Sequence, residues 1–274
     1  MSTASEPAPP PPPPVLDSTT LASLGAVALL VGTAYALSRH QLGASTPTRL
    51  RLCFVWNAFN AQIHFLLEGS FLWHCFFSFA TVSDDGGTGM GPGGSFLNRP
   101  DRRYGPAFGD DAAARLWQVY ARADRRWAAA DPTLVSIELL TVAGAGLLAL
   151  WVCRCIARRD PRAGFWMVVL ATGELYGGFM TFCPEWLTGS VNLDTSNFMH
   201  LHSGHFGAWA DESAASAARS SRYVYLAFFN LLWVVFPLYE IKVAYDDMTN
   251  AFMIRNAVIA QTILKTEKEG RKAE

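Results

Sequence analysis

The run from Leu52 to Ala80 constrains this chain most, because it is long and apolar yet carries polar side chains in its middle. A membrane-spanning helix needs about 20 predominantly apolar residues. Four polar residues of the run follow the i, i+3, i+7, i+11 spacing of one helical face: Asn57, Asn60, His64 and Glu68. An ionisable group at the bilayer centre costs about 2.5–3.5 kcal/mol on insertion scales, so such groups face a cavity or a partner. The alternative is a polar stripe that only holds helices together.

Four more apolar runs accompany this one and predict an all-α membrane protein, a five-helix transmembrane bundle with a polar intramembrane cavity. The predicted spans are about 18–38, 52–80, 133–153, 163–186 and 222–241. They form one domain over 18–246, with a Pro-rich tail at 1–17 that is predicted to be disordered and a polar tail at 247–274. The two longer loops are 81–132, which includes an amphipathic helix over 112–127, and 187–221.

Basic residues predict the orientation of the bundle. Arg39 to Arg51, Arg154 to Arg162 and Lys265 to Lys272 would all lie on one side of a five-span protein. By the positive-inside rule this side is cytosolic. The C-terminus is then predicted to be cytosolic, and the N-terminus and both longer loops are predicted to be luminal.

Ionisable residues in the predicted spans indicate proton-transfer chemistry. Glu138 and Glu174 lie in the third and fourth spans and join His64 and Glu68 of the second. Several carboxyl groups in one buried site allow one to act as an acid while another acts as a base. The same groups suit an organic cation, for which Trp233 offers an aromatic face.

Each of these residues also has a structural interpretation that the sequence leaves open. Glu174 can be a hydrogen-bonding link to Tyr176 or to a neighbouring helix, and Asn230 is as readily a helix-linking amide as a site residue.

Several other functions are disfavoured. The net charge of −1 gives no basic surface for nucleic acid. The five cysteines form no CxxC pair and no zinc-binding spacing, so they are expected to be free thiols. The HLHSGH segment at 200–205 has no positioned carboxylate or cysteine partner, so no metal site is predicted. The GxGxxG motif at 89–94 lacks a flanking strand and helix, so no dinucleotide or other cofactor is expected.

Five motifs then give a resemblance. IHFLLEG, LWQVYARADRRW, IELLT, GELYG and FFNLLWVVFP occur in the order in which similar motifs occur in the emopamil-binding (EXPERA) family, across most of residues 50–245. The resemblance implies a multi-pass protein of the endoplasmic-reticulum membrane and a sterol isomerase that moves the C8–C9 double bond to C7–C8. It implies a sterol substrate, amphipathic amine ligands and no cofactor, and it allows a homodimer.

The resemblance also assigns residues. The family's acidic and histidine positions correspond to His64, Glu68 and Glu138, which are expected to be catalytic. The expected substrate-binding residues are Thr141, Asn230, Trp233, Asp124 and Tyr176. Glu174 stands where the family usually has an amide. A non-catalytic, lipid-binding or chaperone-like member of the same family is the alternative function, and a small transporter is a more distant one, disfavoured because no inverted repeat is visible.

Overall fold

The computed structural model describes residues 18–81, 96–121, 124–193 and 217–273, without the side chains of 18–21, 23, 217–230 and 273. The predicted tail at 1–17, the GxGxxG motif and the HLHSGH segment lie outside this part of the chain.

Helices cover the five predicted spans except the last three residues of 52–80, where the helix ends at Phe77 and a short strand follows. The helices are α1 (Ser18–Gln41), α2 (Thr48–Gln62), α3 (Gly69–Phe77), α4 (Ala112–Tyr120), α5 (Pro132–Leu140), α6 (Gly146–Ala157), α7 (Ala163–Leu187) and α8 (Ala217–Ala273). Two short π-helical segments make α2 continuous with α3 and α5 continuous with α6. They are π1 (Ile63–Glu68) and π2 (Thr141–Ala145).

Two of the described helices are long and apolar enough to cross a membrane. They are Pro132–Ala157, with 26 residues, and Ala163–Leu187, with 25. The first begins where Asp131 accepts hydrogen bonds from the backbone N–H groups of Thr133 and Leu134, and Pro132 takes the first helical position. These helices match the predicted third and fourth spans. The predicted fifth span, 222–241, lies inside α8, which continues as one helix through most of the predicted tail.

The segment between α3 and α5 adds a feature to the all-α expectation. Strand β1 (Phe79–Thr81) pairs antiparallel with β2 (Arg102–Tyr104) in a two-stranded sheet. The amphipathic helix expected over 112–127 ends at Tyr120, and Arg125–Ala128 forms a separate 3-10 turn. Asp124 caps this turn by accepting a hydrogen bond from the backbone N–H of Arg126. This cap diverts the chain, so the predicted single helix was wrong in its second half.

Two hydrophobic clusters form the core. The larger one joins α1, α2, α6, α7 and α8, with Phe54, Trp56 and Met167 buried in it. The smaller one packs α3 against α4 and α5, with Phe71 against the stacked rings of Trp117 and Trp127. The bundle is therefore closed at one end by the α3–α5 segment.

Two of the three basic segments, around Arg49 and Arg159, meet at the opposite end. Arg49 pairs with Asp247 at 2.6 Å, and Arg159 Nη2 donates to Ser45 Oγ at 2.8 Å. Arg51 Nη1 donates to the carbonyl of Ser38 at 2.9 Å. These contacts bring the start of α2, the end of α6 and the middle of α8 together, and we call this the charged end.

Candidate active site

The two π segments face each other in the bundle. Segments π1 and π2 are in contact, and a Cβ atom added to Gly146, directly after π2, would lie 2.9 Å from Phe65 Cζ and 3.3 Å from His64 Cβ. Only a glycine fits such a close approach without displacing a neighbour. A π segment inside an α-helix often marks a functional site. The contact brings the predicted catalytic residues of two helices together.

A hydrogen-bonded cluster occupies this contact. His64 Nδ1 lies 2.6 Å from Glu68 Oε2, one turn along the same helix. The carboxyl group of Glu68 neighbours that of Glu138 on α5, and Thr141 Oγ1 donates to Glu138 Oε2 at 2.8 Å. The His64 and Glu138 side chains are buried, and that of Glu68 is 15% exposed. We call His64, Glu68, Glu138 and Thr141 the carboxyl cluster.

This geometry supports proton transfer. A protonated carboxyl group can donate a proton and an ionised one can accept it, so two neighbouring carboxyl groups can serve as acid and base. His64 adds an imidazole that contacts Glu68. The groups come from two helices, so they can approach a bound molecule from two directions.

The remaining polar residues of the α2 face link that helix to α7 and α8. Asn60 Nδ2 donates to Glu174 Oε1, and Asn60 Oδ1 accepts from Trp233 Nε1 at 3.0 Å. The Trp233 ring lies edge-on to Trp56, with 5.3 Å between ring centroids. Glu174 is therefore hydrogen-bonded to a neighbouring helix through Asn60, which was one of the two structural interpretations that the sequence left open.

Glu240 is a buried acid that the sequence analysis missed. Glu240 on α8 is fully buried, and its Oε1 accepts from Asn57 Nδ2. The predicted span ended next to this residue, at a position where a carboxylate can reach water. Its seven-residue spacing from Trp233 was the available signal, because residues seven apart lie on the same helical face.

Three expected substrate-binding residues lie elsewhere or cannot be judged. Asp124 is buried in a network with Arg126 and the end of α7, where Arg126 Nη2 lies 2.6 Å from Asp124 Oδ2 and Arg126 Nε lies 3.5 Å from Glu185 Oε1. Burial raises the pKa of Asp124, and the Arg126 guanidinium opposes this shift. Tyr176 is 65% exposed on α7 and points away from the core. The side chain of Asn230 lies outside the described part.

Metal binding is another function that clustered acidic and histidine side chains can serve in the described part of the chain. No group of three or more His, Cys, Asp or Glu side chains there could hold a metal ion. The carboxyl cluster itself is bonded internally, with His64 on Glu68 and Thr141 on Glu138.

Comparisons with known proteins point to one family. Residues 112–242 match the family described as EBP: EXPERA (EXPanded EBP superfamily). The chain is 26% identical over 209 residues to the 3-beta-hydroxysteroid-Delta(8),Delta(7)-isomerase of Cavia porcellus, covering 76% of this chain and 69% of that protein. It is 26% identical over 216 residues to the Rattus norvegicus protein of the same name, covering 78% and 71%. A probable enzyme of this name from Oryza sativa subsp. japonica is 26% identical over 154 residues, covering 56% of this chain and 57% of the relative.

Proposed function

We propose that this chain is a member of the EXPERA family and a sterol isomerase that moves the C8–C9 double bond to C7–C8 inside a membrane, because residues 112–242 match the family and the matched relatives are similar to most of the chain. Relatives that match about three quarters of the chain carry the name of a sterol Delta8-Delta7 isomerase. The match to the family profile begins at residue 112 and therefore includes Glu138 and Thr141 but not His64 or Glu68.

The carboxyl cluster is the observation that carries the proposal. Moving a double bond by one position requires an acid that protonates one alkene carbon and a base that removes a proton from a neighbouring carbon. A carbocation forms between these two steps, and nearby carboxylates and aromatic faces stabilise it. The cluster offers two carboxyl groups and an imidazole within hydrogen-bonding contact, and the reaction is redox-neutral, so these side chains are sufficient for both proton transfers.

We assign the steps by helix. The pair of His64 and Glu68 handles one proton transfer, and Glu138 handles the other from the facing helix. Thr141 orients the Glu138 carboxyl through its 2.8 Å hydrogen bond. Trp233, held by Asn60 one turn before His64, offers its ring to the cationic intermediate.

The same proposal extends to architecture and location. Five spans form a bundle around a polar cavity in the endoplasmic-reticulum membrane. The charged end faces the cytosol, and the contacts among Arg49, Arg159 and their partners support one common side for the basic segments. Amphipathic amines, which resemble the carbocation, are the proposed ligands besides the sterol. A homodimer stays a prediction from the resemblance.

Expression in cells that lack their own isomerase tests the function. We expect the wild-type chain to remove the accumulated Δ8-sterol and to restore Δ7-sterols, as measured by mass spectrometry of extracted lipids. Glu138→Gln serves as the matched control, because it nearly preserves the side-chain shape and removes the titratable carboxyl. Persistent Δ8-sterol with a folded, membrane-inserted wild-type protein would instead favour a sterol-binding member of the family without catalysis.

A further inference from the structure

A line of buried polar side chains runs from the carboxyl cluster towards the charged end. On α2 and π1 the residues Asn57, Asn60 and His64 share one face, and each of the two amides binds a buried glutamate of another helix. At a rise of about 1.5 Å per residue, Asn57 and His64 are about 10 Å apart along the helix axis. Glu240, bonded to Asn57, is therefore nearer the charged end than Glu174, bonded to Asn60.

Open polar atoms occur along this line. Among the described residues, His64 Nε2, Glu174 Oε2 and Glu240 Oε2 are buried and have no hydrogen-bond partner. Native proteins rarely leave buried polar atoms unsatisfied, and bound water usually fills this role. The three atoms each belong to a group that can take up and release a proton. Water between them would complete a path for protons.

The line of hydrogen-bonded polar side chains ends at Glu240, about two helical turns from the charged end. Asp247 follows Glu240 by seven residues on the same face of α8, about 10 Å away, and it is paired with Arg49, where both side chains are partly exposed to solvent. Buried Val243 and Ala244 stand between Glu240 and Asp247 on this face. Protons that pass between Glu240 and solvent have to cross these two turns.

We propose that Glu174 and Glu240 exchange protons between the carboxyl cluster and water at the charged end. This inference rests on the proposed isomerase function. Each isomerisation takes one proton from the catalytic acid and gives one to the catalytic base, so the cluster must be reset without a net change. The reset proceeds either by direct return within the cluster or by release of one proton to water and uptake of another. Glu174 and Glu240 provide the second route.

Deuterium labelling separates the two routes. The purified chain in detergent micelles converts Δ8-sterol in deuterium oxide over many turnovers at low conversion, and mass spectrometry gives the deuterium content of the product. Exchange with water places one deuterium atom on the protonated carbon of nearly every product molecule. Direct return carries the hydrogen removed from one substrate to the next, so the product holds little deuterium.

We expect the product formed by the wild-type chain to be almost fully labelled. Glu174→Gln and Glu240→Gln should each lower the deuterium content of the product by about half or more, because an amide does not relay a proton as a carboxyl group does. Glu240→Asp should restore labelling, because it keeps the carboxyl group. Glu185→Gln, a buried acid on α7 outside the line, is the matched control and should label like the wild type. A slower variant has more time to exchange, so a loss of rate alone cannot lower the label.

Each result bears on the inference. Wild-type labelling in both Glu174→Gln and Glu240→Gln would overturn it while leaving the isomerase function intact, and so would low labelling in the wild type. If Glu240→Gln does not fold, Glu174→Gln decides the test alone. Absence of any isomerisation by the folded wild-type chain would refute the proposed function, and the exchange path would fall with it.

Discussion

Replacing Thr141 with Val removes one hydroxyl group from the carboxyl cluster and keeps a β-branched side chain of similar shape. The hydroxyl donates to Glu138 Oε2 at 2.8 Å, and the Glu138 side chain is buried, so water cannot easily replace the lost donor. A hydrogen bond to a charged group contributes about 1.5–3 kcal/mol. If it is fully used in the transition state, its loss slows the reaction by about 10- to 150-fold, since about 1.4 kcal/mol corresponds to a factor of ten.

The assay is the initial rate of Δ8-sterol conversion by the purified variant, with thermal unfolding in the same detergent as a test of folding. Thr141→Ser is the matched control, because it retains the hydroxyl group and loses only a methyl group. We expect Thr141→Ser to stay within about threefold of the wild-type rate, because the donor to Glu138 is kept. A folded Thr141→Val variant with the wild-type rate would show that orientation of Glu138 by this hydroxyl does not matter, and the reasoning would be refuted.

Further predictions address the catalytic residues, the ligands, the loop and the topology. His64→Ala and Glu138→Gln should each lower the rate of isomerisation by about 10²–10⁴-fold. Glu174→Gln should change the rate only mildly. An inactive Glu174→Gln variant together with an active Glu138→Gln variant would move the site to α7. Hydrophobic tertiary amines should bind to the wild-type chain and bind more weakly to Glu68→Gln, which loses a charge-assisted partner; equal affinities in an equilibrium binding assay would count against a cation site here. Asp124→Ala breaks a buried ion pair and should destabilise the fold by up to about 3–5 kcal/mol, seen as a lower unfolding temperature, and an unchanged temperature would contradict the structural role of this pair. Glycosylation tags should be modified at the N-terminus and not at the C-terminus, and modification at both ends or neither would exclude five spans.

The sequence predicted the helices of the bundle well, because long apolar runs have few alternatives at membrane depth. Helix α7 and the helix Pro132–Ala157 lie within a few residues of the predicted spans. The pairing of His64 with Glu68 was also predictable, since it depends only on spacing along one helix. The helix spans and the His64–Glu68 contact each depend on residues close together in the sequence, so the sequence pattern alone predicts them.

The features that the sequence did not predict depend on contacts between helices. The π segments lie where two helices approach closely at Gly146, a contact that the sequence analysis did not predict. Glu240 is buried where α8 packs against other helices and is hydrogen-bonded to Asn57 of α2. The helix expected through Trp127 ends early, and Asp124 caps the following 3-10 turn and pairs with the Arg126 guanidinium.

Tyr176 and Glu174 show how neighbouring motif residues can differ in burial. The predicted substrate contact of Tyr176 stays a prediction, and in the structure its side chain is 65% exposed on α7 while Glu174 is buried against Asn60. Two residues that are two positions apart on a helix do not share a face. Burial of a motif residue therefore has to be read from the packed structure.

Conversion of a Δ8-sterol by the purified chain in lipid vesicles tests the central claim most directly. The wild-type chain should form the Δ7-sterol without added cofactor, and Glu138→Gln should form it at least about 100-fold more slowly. The Glu138→Gln variant should still bind amines, though weakly, and should unfold at a temperature similar to that of the wild type. A folded wild-type chain that binds the sterol and leaves its double bond in place would contradict the account. Equal conversion by Glu138→Gln would contradict the role of the carboxyl cluster.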